Sequence, residues 1–455
     1  MSHAAINPAT GEVLSTHEEL TAPELRKAIA DSHQAFVAWQ RVPMPERAAK
    51  MRVAARILRD GAPRFATLMA REMGKPVKQG RSEVEKCAWV CEYYAEHAEP
   101  FLADEPADTD ASKSYVAYRP LGLIFAVMPW NYPFWQVFRF AAPALMGGNG
   151  GLLKHAPNVP GCALAIEGVF RDAGFPEGLF RTLLISVPQA KVVIRHRHVA
   201  AVTLTGSTAA GKAVAKEAGA RLKKCVLELG GSDPYIILED ADLGQAVEAC
   251  ATSRLLNSGQ SCIAAKRFLV VPGVREEFER RLVERMRATR SGDPMREETD
   301  LGPQARADLR DALHDQVQRS VAAGARLLLG GKVPSGPGFF YPPTVLTDVR
   351  KGMPAYSEEL FGPVATIIPV KNRAAAIKVA NDTAYGLGAA IFSSDVARAE
   401  RIAADELQAG ACFVNAFVRS DPRLPFGGIK ESGYGRELSR HGLLEFQNAK
   451  AVYVR

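Results

Sequence analysis

Cys262 stands alone in a short polar turn, Asn257-Ser258-Gly259-Gln260-Ser261-Cys262, ahead of the apolar run Phe268 to Val271, which reads as a strand. A thiol on a loop at the edge of an element is placed where a nucleophile can meet a substrate. Only the thiolate is strongly nucleophilic, so the cysteine needs donors or dipole ends nearby and a base within reach. Glu228, in Val226-Leu227-Glu228-Leu229-Gly230-Gly231, is a candidate base. A lone buried cysteine is more often a small core hydrophobe, so the catalytic reading rests on the company Cys262 keeps.

The elements that must position these groups are legible as two α/β patterns. Leu123 to Met128, Gly151 to Lys154, Leu179 to Ile185, Val199 to Thr205 and Lys224 to Leu229 read as strands, alternating with helical segments at 137–147, 161–173, 187–196 and 208–220. Such alternation predicts a parallel sheet covered on both faces, the dinucleotide-binding architecture. A second α/β pattern is legible from Asp240 to about Asn415. Residues 23–100 read as helical scaffold, opened at Pro23-Glu24 and Pro45-Glu46. Ser114 to Arg119 alternates like a strand and needs a partner for its edge. Thr205-Gly206-Ser207-Thr208-Ala209-Ala210-Gly211 follows a strand and opens a helix, so its amides and the Ser207 hydroxyl can meet a phosphate. It is not the GxGxxG fingerprint, and a plain helix cap has the same form.

Gly259-Gln260-Ser261-Cys262 together with Glu228-Leu229-Gly230-Gly231 resembles the paired signature of the aldehyde dehydrogenase superfamily. The likeness runs from Ile6-Asn7-Pro8-Ala9-Thr10-Gly11 to Pro425-Phe426-Gly427-Gly428-Ile429-Lys430. It is greatest toward the bacterial succinate-semialdehyde dehydrogenases, through Pro129-Trp130-Asn131 and Gly428-Ile429-Lys430-Glu431-Ser432-Gly433. The resemblance implies a Rossmann-type cofactor domain (1–113, 121–230 and 416–448), an α/β catalytic domain (231–415) and an oligomerisation sheet of strands 114–120 and 449–455. It implies Cys262 as nucleophile, Glu228 as the base that activates water, Asn131 as oxyanion donor and Glu437 as a proton relay. For the cofactor, NADP or NAD, it implies contacts from Trp130, Lys154, Gly206, Ser207, Gly211, Leu229, Gly230, Glu359 and Phe361. A helical Glu beside an Arg, as Glu437 is beside Arg436, is also an ordinary ion pair.

Departures from the family pattern carry information of their own. NAD-selective relatives often have a Glu three residues after the lysine matched by Lys154, and this chain has Pro157; the like-charge penalty against a 2′-phosphate is then missing, and NADP is expected to be accepted. Arg139 falls where succinate-semialdehyde dehydrogenases carry a substrate-binding arginine, and a guanidinium can hold a far carboxylate at two points. An arginine on a helix bordering the sheet can equally be held in a structural ion pair. Ser420 matches a substrate-loop position. A second substrate arginine is absent, Leu256 standing in its place, with Arg419 and Arg423 as possible substitutes. Ala264 stands where some relatives have a cysteine that forms a redox-switch disulfide, so no such switch is expected. The implied reaction is oxidation of succinate semialdehyde through a thiohemiacetal and a thioester. The alternatives are glutarate semialdehyde or other medium aldehydes as substrate, and a non-catalytic structural descendant, which should have lost Cys262, Glu228 or Asn131.

Composition bounds the rest. A chain of 455 residues with 47% hydrophobic and 24% charged residues can bury a large core. Its 57 basic residues are interleaved with 50 acidic ones, with no block that suggests nucleic-acid binding. The longest apolar run, Leu121 to Trp130, is about half of the ~20 residues that span a bilayer, so no membrane partner is expected. The first residues lack a secretory pattern. Seven cysteines without metal spacing suit a reducing, cytoplasmic setting; Cys87 and Cys91, four apart, read as helix-face packing. The projecting strands imply a homodimer or homotetramer.

Overall fold

The computed structural model describes residues 2–455. A hairpin of β1 (Ser2–Ile6) and β2 (Val13–Glu18) precedes four helices, α1 (Ala22–Trp39), α2 (Met44–Asp60), α3 (Ala62–Met73) and α4 (Val77–Phe101). Then come β3 (Glu105–Pro106), β4 (Lys113–Pro120) and the expected alternation: β5 (Leu123–Met128), α5 (Trp135–Met146), β6 (Gly150–His155), α6 (Pro160–Asp172), β7 (Phe180–Thr182), α7 (Val187–Arg195), β8 (Val199–Thr205), α8 (Thr208–Gly219) and β9 (Lys224–Glu228). Strands β9, β8, β5, β6 and β7 lie parallel in that order. Their side chains are nearly all buried, because helices cover both faces. Every residue of α5 is buried, Gln136 and Arg139 included, so polar side chains on this apolar helix must find partners inside the protein.

Thr205 pairs with Glu228 across β8 and β9, at the carboxyl edge where ligands of such sheets bind. The chain then crosses to a second sheet through Leu229 to Ser232. That sheet opens with β10 (Asp233–Ile237), followed by α9 (Leu243–Leu255) and β11 (Ala265–Val270). It thus begins ahead of Asp240, because β10 is a short run buried on both faces, whose periodicity does not announce a strand. Its other strands are β12 (Arg326–Leu329), β13 (Thr344–Thr347), β14 (Val364–Pro369), β15 (Gly388–Phe392) and β16 (Ala411–Val414), in the order β12-β13-β14-β11-β10-β15-β16. The short β17 (Gly433–Tyr434) returns to pair with β9, Gly433 opposite Glu228. Finally β18 (Gln447–Val454) pairs antiparallel with β4, and β3 flanks β4 on the other side. The fold is α/β, as the sequence predicts, with two parallel-rich sheets meeting near Glu228 and Cys262. No helix among the described residues is long and apolar enough to cross a membrane. Cys87 and Cys91 are both fully buried in the core.

Candidate active site

The loop before Cys262 is built from three consecutive residues in the left-handed region: Asn257 (φ 55°), Ser258 (φ 56°) and Gly259 (φ 73°). Two of them are not glycine, so surrounding contacts must hold the turn. Asn257 Nδ2 donates to the Asn131 carbonyl at 2.7 Å and to that of Gln260 at 3.0 Å. Ser258 Oγ donates to the Gly302 carbonyl at 3.0 Å. A Cβ on Gly259 would lie 2.3 Å from the Gly362 backbone, which leaves room for glycine alone. From the far side of the loop, Lys266 Nζ donates to the carbonyls of Ser261 at 2.9 Å and Cys262 at 2.7 Å. Cys262 is therefore carried on a braced loop between α9 and β11.

Cys262 lines two cavities. Burial pushes its thiol up to about 12, opposed by the nearby charges of Arg139 and Lys266, so nucleophilicity depends on those cations and on what enters the site. Asn131 lies close by. Its Nδ2 donates to the Gln260 carbonyl at 3.0 Å and its Oδ1 accepts from Gln136 Nε2 at 3.1 Å. That fixes the amide orientation and leaves the second N–H for a ligand. No carbonyl of the described residues accepts the Cys262 N–H. These two donors have the chemistry of an oxyanion hole.

The first cavity, about 220 Å³, is lined by Trp130, Asn131, Gly206, Ser207, Leu229, Gly230, Glu359 and Phe361 beside Cys262. It suits a dinucleotide. Ser207 caps α8, accepting from the Ala210 amide at 3.3 Å, and leaves a helix amino end open to phosphate. The Trp130 and Phe361 rings meet edge to face at 5.8 Å. A Cβ on Gly230 would fall 2.5 Å from Glu359 Oε2, so only glycine leaves that carboxylate its place. Glu359 is itself anchored by the Gly231 amide at 3.0 Å and by Lys266 at 3.4 Å. Two cofactor candidates lie outside this lining. Gly211 packs against Leu229, whose Cδ2 stands 2.5 Å from where a Cβ would be, so the first turn of α8 lies close against the segment that follows β9. Lys154 is buried, has no carboxylate within 4 Å among the described residues, and donates to the His155 carbonyl at 3.5 Å.

Glu228 and Glu437 line neither cavity, and the charge of Arg139 acts on both carboxyls and on the Cys262 thiol. Burial, reinforced by the charge of Glu437, pushes Glu228 well above the usual carboxylate range, and Arg139 pulls it back. Neither Glu228 oxygen has a hydrogen-bond partner among the described residues, and an unpartnered buried carboxyl of this kind marks a candidate proton-transfer group. Arg139 forms a buried ion pair with Glu437. It also donates to Thr205 Oγ1 at 3.3 Å and lies over the Phe426 ring. Arg139 thus meets Glu437 through Nε and Thr205 through one Nη, and it also borders the second cavity.

That second cavity, about 210 Å³, also takes in Lys86, Trp135, Leu256, Arg419, Ser420 and Phe426. Lys86 comes from α4, which sequence periodicity marks only as scaffold; nothing local distinguishes a lysine facing a cavity from one facing water. Gln136, Asn257 and Lys266 were likewise missed, because their work is to hold backbone groups that only the fold brings near.

A thiol, an amide donor and a buried carboxyl near the meeting of two parallel-rich sheets, beside a cavity with an open helix amino end, define an α/β protein with a cysteine-centred site. The chain belongs to the aldehyde dehydrogenase family, whose model matches residues 2–452. It is 48% identical over 453 residues to the succinate semialdehyde dehydrogenase [NAD(P)+] of Escherichia coli, covering 99% of this chain and 98% of that one. It is also 48% identical to succinate-semialdehyde dehydrogenase [NADP(+)] 1 of Mycobacterium tuberculosis, with full coverage of both. Among solved structures, the Streptococcus pyogenes succinic semialdehyde dehydrogenase in complex with NADP+ superposes with a TM-score of 0.97, at 40% identity and 99% coverage of each chain.

Proposed function

We propose that this aldehyde dehydrogenase oxidises succinate semialdehyde to succinate with NADP or NAD, NADP being accepted. The observation that carries the reading is the position of Cys262 at the junction of two cavities, one suited to a dinucleotide and one bordered by cations. The Cys262 sulfur adds to the aldehyde carbon, and the oxyanion is met by the free Asn131 N–H and the Cys262 amide. Bound NADP or NAD supplies the acceptor for the hydride lost in the oxidation. Cys262 then holds the acyl group as a thioester. Glu228, ionised with the help of the Arg139 charge and lining neither cavity, takes a proton from the attacking water through an intervening water, and the acid leaves as Cys262 regains its thiol. Arg139 joins the catalytic groups electrically, since its charge favours both the thiolate and the Glu228 carboxylate.

Support for NADP lies at Pro157, an exposed residue just past the end of β6, which brings no carboxylate of its own to repel a 2′-phosphate. The test is kcat/KM for both nucleotides in the wild type and in Pro157→Glu. Wild-type turnover with NADP, falling at least about tenfold in the variant, is expected from one introduced like charge; a wild type confined to NAD would sink the assignment. The edge strand β18 and the family likeness support assembly into a homodimer or homotetramer, and the free cysteines support a reducing, cytoplasmic setting.

A further inference from the structure

Four cations border the second cavity, and their partners differ. Lys75 is paired with Glu83, and Arg139 with Glu437. Arg419 lies exposed at the rim, where water and salt weaken its pull. Arg423, the other possible substitute for the missing arginine, is bound to Asp421 at 2.7 Å and lies over Trp89. Lys86 is different. It is half-buried, no carboxylate among the described residues approaches its Nζ within 4 Å, and it is held between the Trp135 ring at 4.3 Å and Ser420 Oγ at 2.8 Å.

We infer that Lys86, seated on Trp135 and oriented by Ser420, is the receptor for the terminal carboxylate of the substrate. The inference rests on the succinate-semialdehyde reading above and assigns its specificity to a residue outside the arginine positions. An ammonium has three donors. One reaches Ser420, leaving the others for an anion in the same cavity that exposes Cys262. A half-buried cation that lacks a counter-ion is a costly arrangement in an empty site, and a bound carboxylate relieves it. Leu256 lies in the same lining, so the aliphatic middle of the substrate meets an apolar contact where a second guanidinium is missing.

The test compares kcat/KM for succinate semialdehyde and for butyraldehyde, its neutral counterpart of equal chain length, in the wild type, Lys86→Met, Lys86→Arg and Ser420→Ala. Protection of Cys262 from iodoacetamide by succinate is followed in parallel. In Lys86→Met the preference for the charged aldehyde should fall about ten- to hundredfold, as expected for loss of a charge-assisted hydrogen bond. The loss should appear in KM, succinate should cease to protect, and Lys86→Arg should restore much of both. A wild type without preference would remove the substrate reading itself. A wild-type preference that survives in Lys86→Met, with protection intact, would overturn this inference alone. Should Lys86→Met fail to fold, Lys86→Gln takes its place, and unchanged preference and protection in that variant would overturn it as well.

Discussion

Cys262 reads as the nucleophile from its neighbours in sequence, but its burial among Arg139, Lys266, Glu359 and Asp233 sets how it behaves. Because burial holds the thiol near 12, the rate of alkylation of the free enzyme by iodoacetamide should keep rising with pH through 9; a plateau below pH 8 would mean a thiolate already formed. Replacing Cys262 by Ala should abolish oxidation, and Asn131→Ala should cost about 10²–10³ in kcat, the usual effect of losing one oxyanion donor. An unchanged kcat in the asparagine variant would remove Asn131 from that role. Asp233 offers a stability test. Burial pushes its carboxyl up from 3.8 to about 7, one oxygen accepting from Gly388 N at 3.0 Å and the other lacking a donor. A folded pKa above the unfolded one means that its stabilising contribution is complete below pH 3.8 and lost as pH rises through 7. Asp233→Asn escapes that loss, so its melting temperature relative to wild type should be higher at pH 8 than at pH 5. An equal difference at both would count against the shift.

The elements were legible where periodicity is strong. β8 coincides with the expected Val199 to Thr205, and α5 to α8 fall within a few residues of expectation, because buried parallel strands and the helices between them write their burial into local composition. β10 starts earlier than its pattern suggests, for it is short and apolar throughout. The left-handed turn at 257–259 was hidden, since only Gly259 among its residues signals positive φ. Gly259→Ala should destabilise the protein by about 2–4 kcal/mol through overpacking against Gly362 and backbone strain, and should depress turnover with it. Melting and rate measured together check this, and a fully active variant of wild-type stability would show the loop to be more yielding than its contacts imply.

For the whole molecule, β18 lies at the edge of its sheet, and the side chains of Tyr453 and Val454 on it are exposed. Such an edge invites pairing. Light scattering should give two or four times the 49.2 kDa chain mass, and deletion of residues 449–455 should yield monomer; a monomeric full-length protein would remove the proposed assembly.

The sequence alone determined the α/β class and the family, and it marked the candidate nucleophile and the candidate base, because strand and helix periods and short motifs are local properties of the chain. Which cation answers which carboxylate was decided only by the tertiary structure. Arg139 and Glu437 are nearly three hundred residues apart and Lys86 and Ser420 more than three hundred, yet each pair is in contact. Charge pairing inside a protein depends on distance and burial rather than on order along the chain, and the sequence holds no record of either until the sheets have closed.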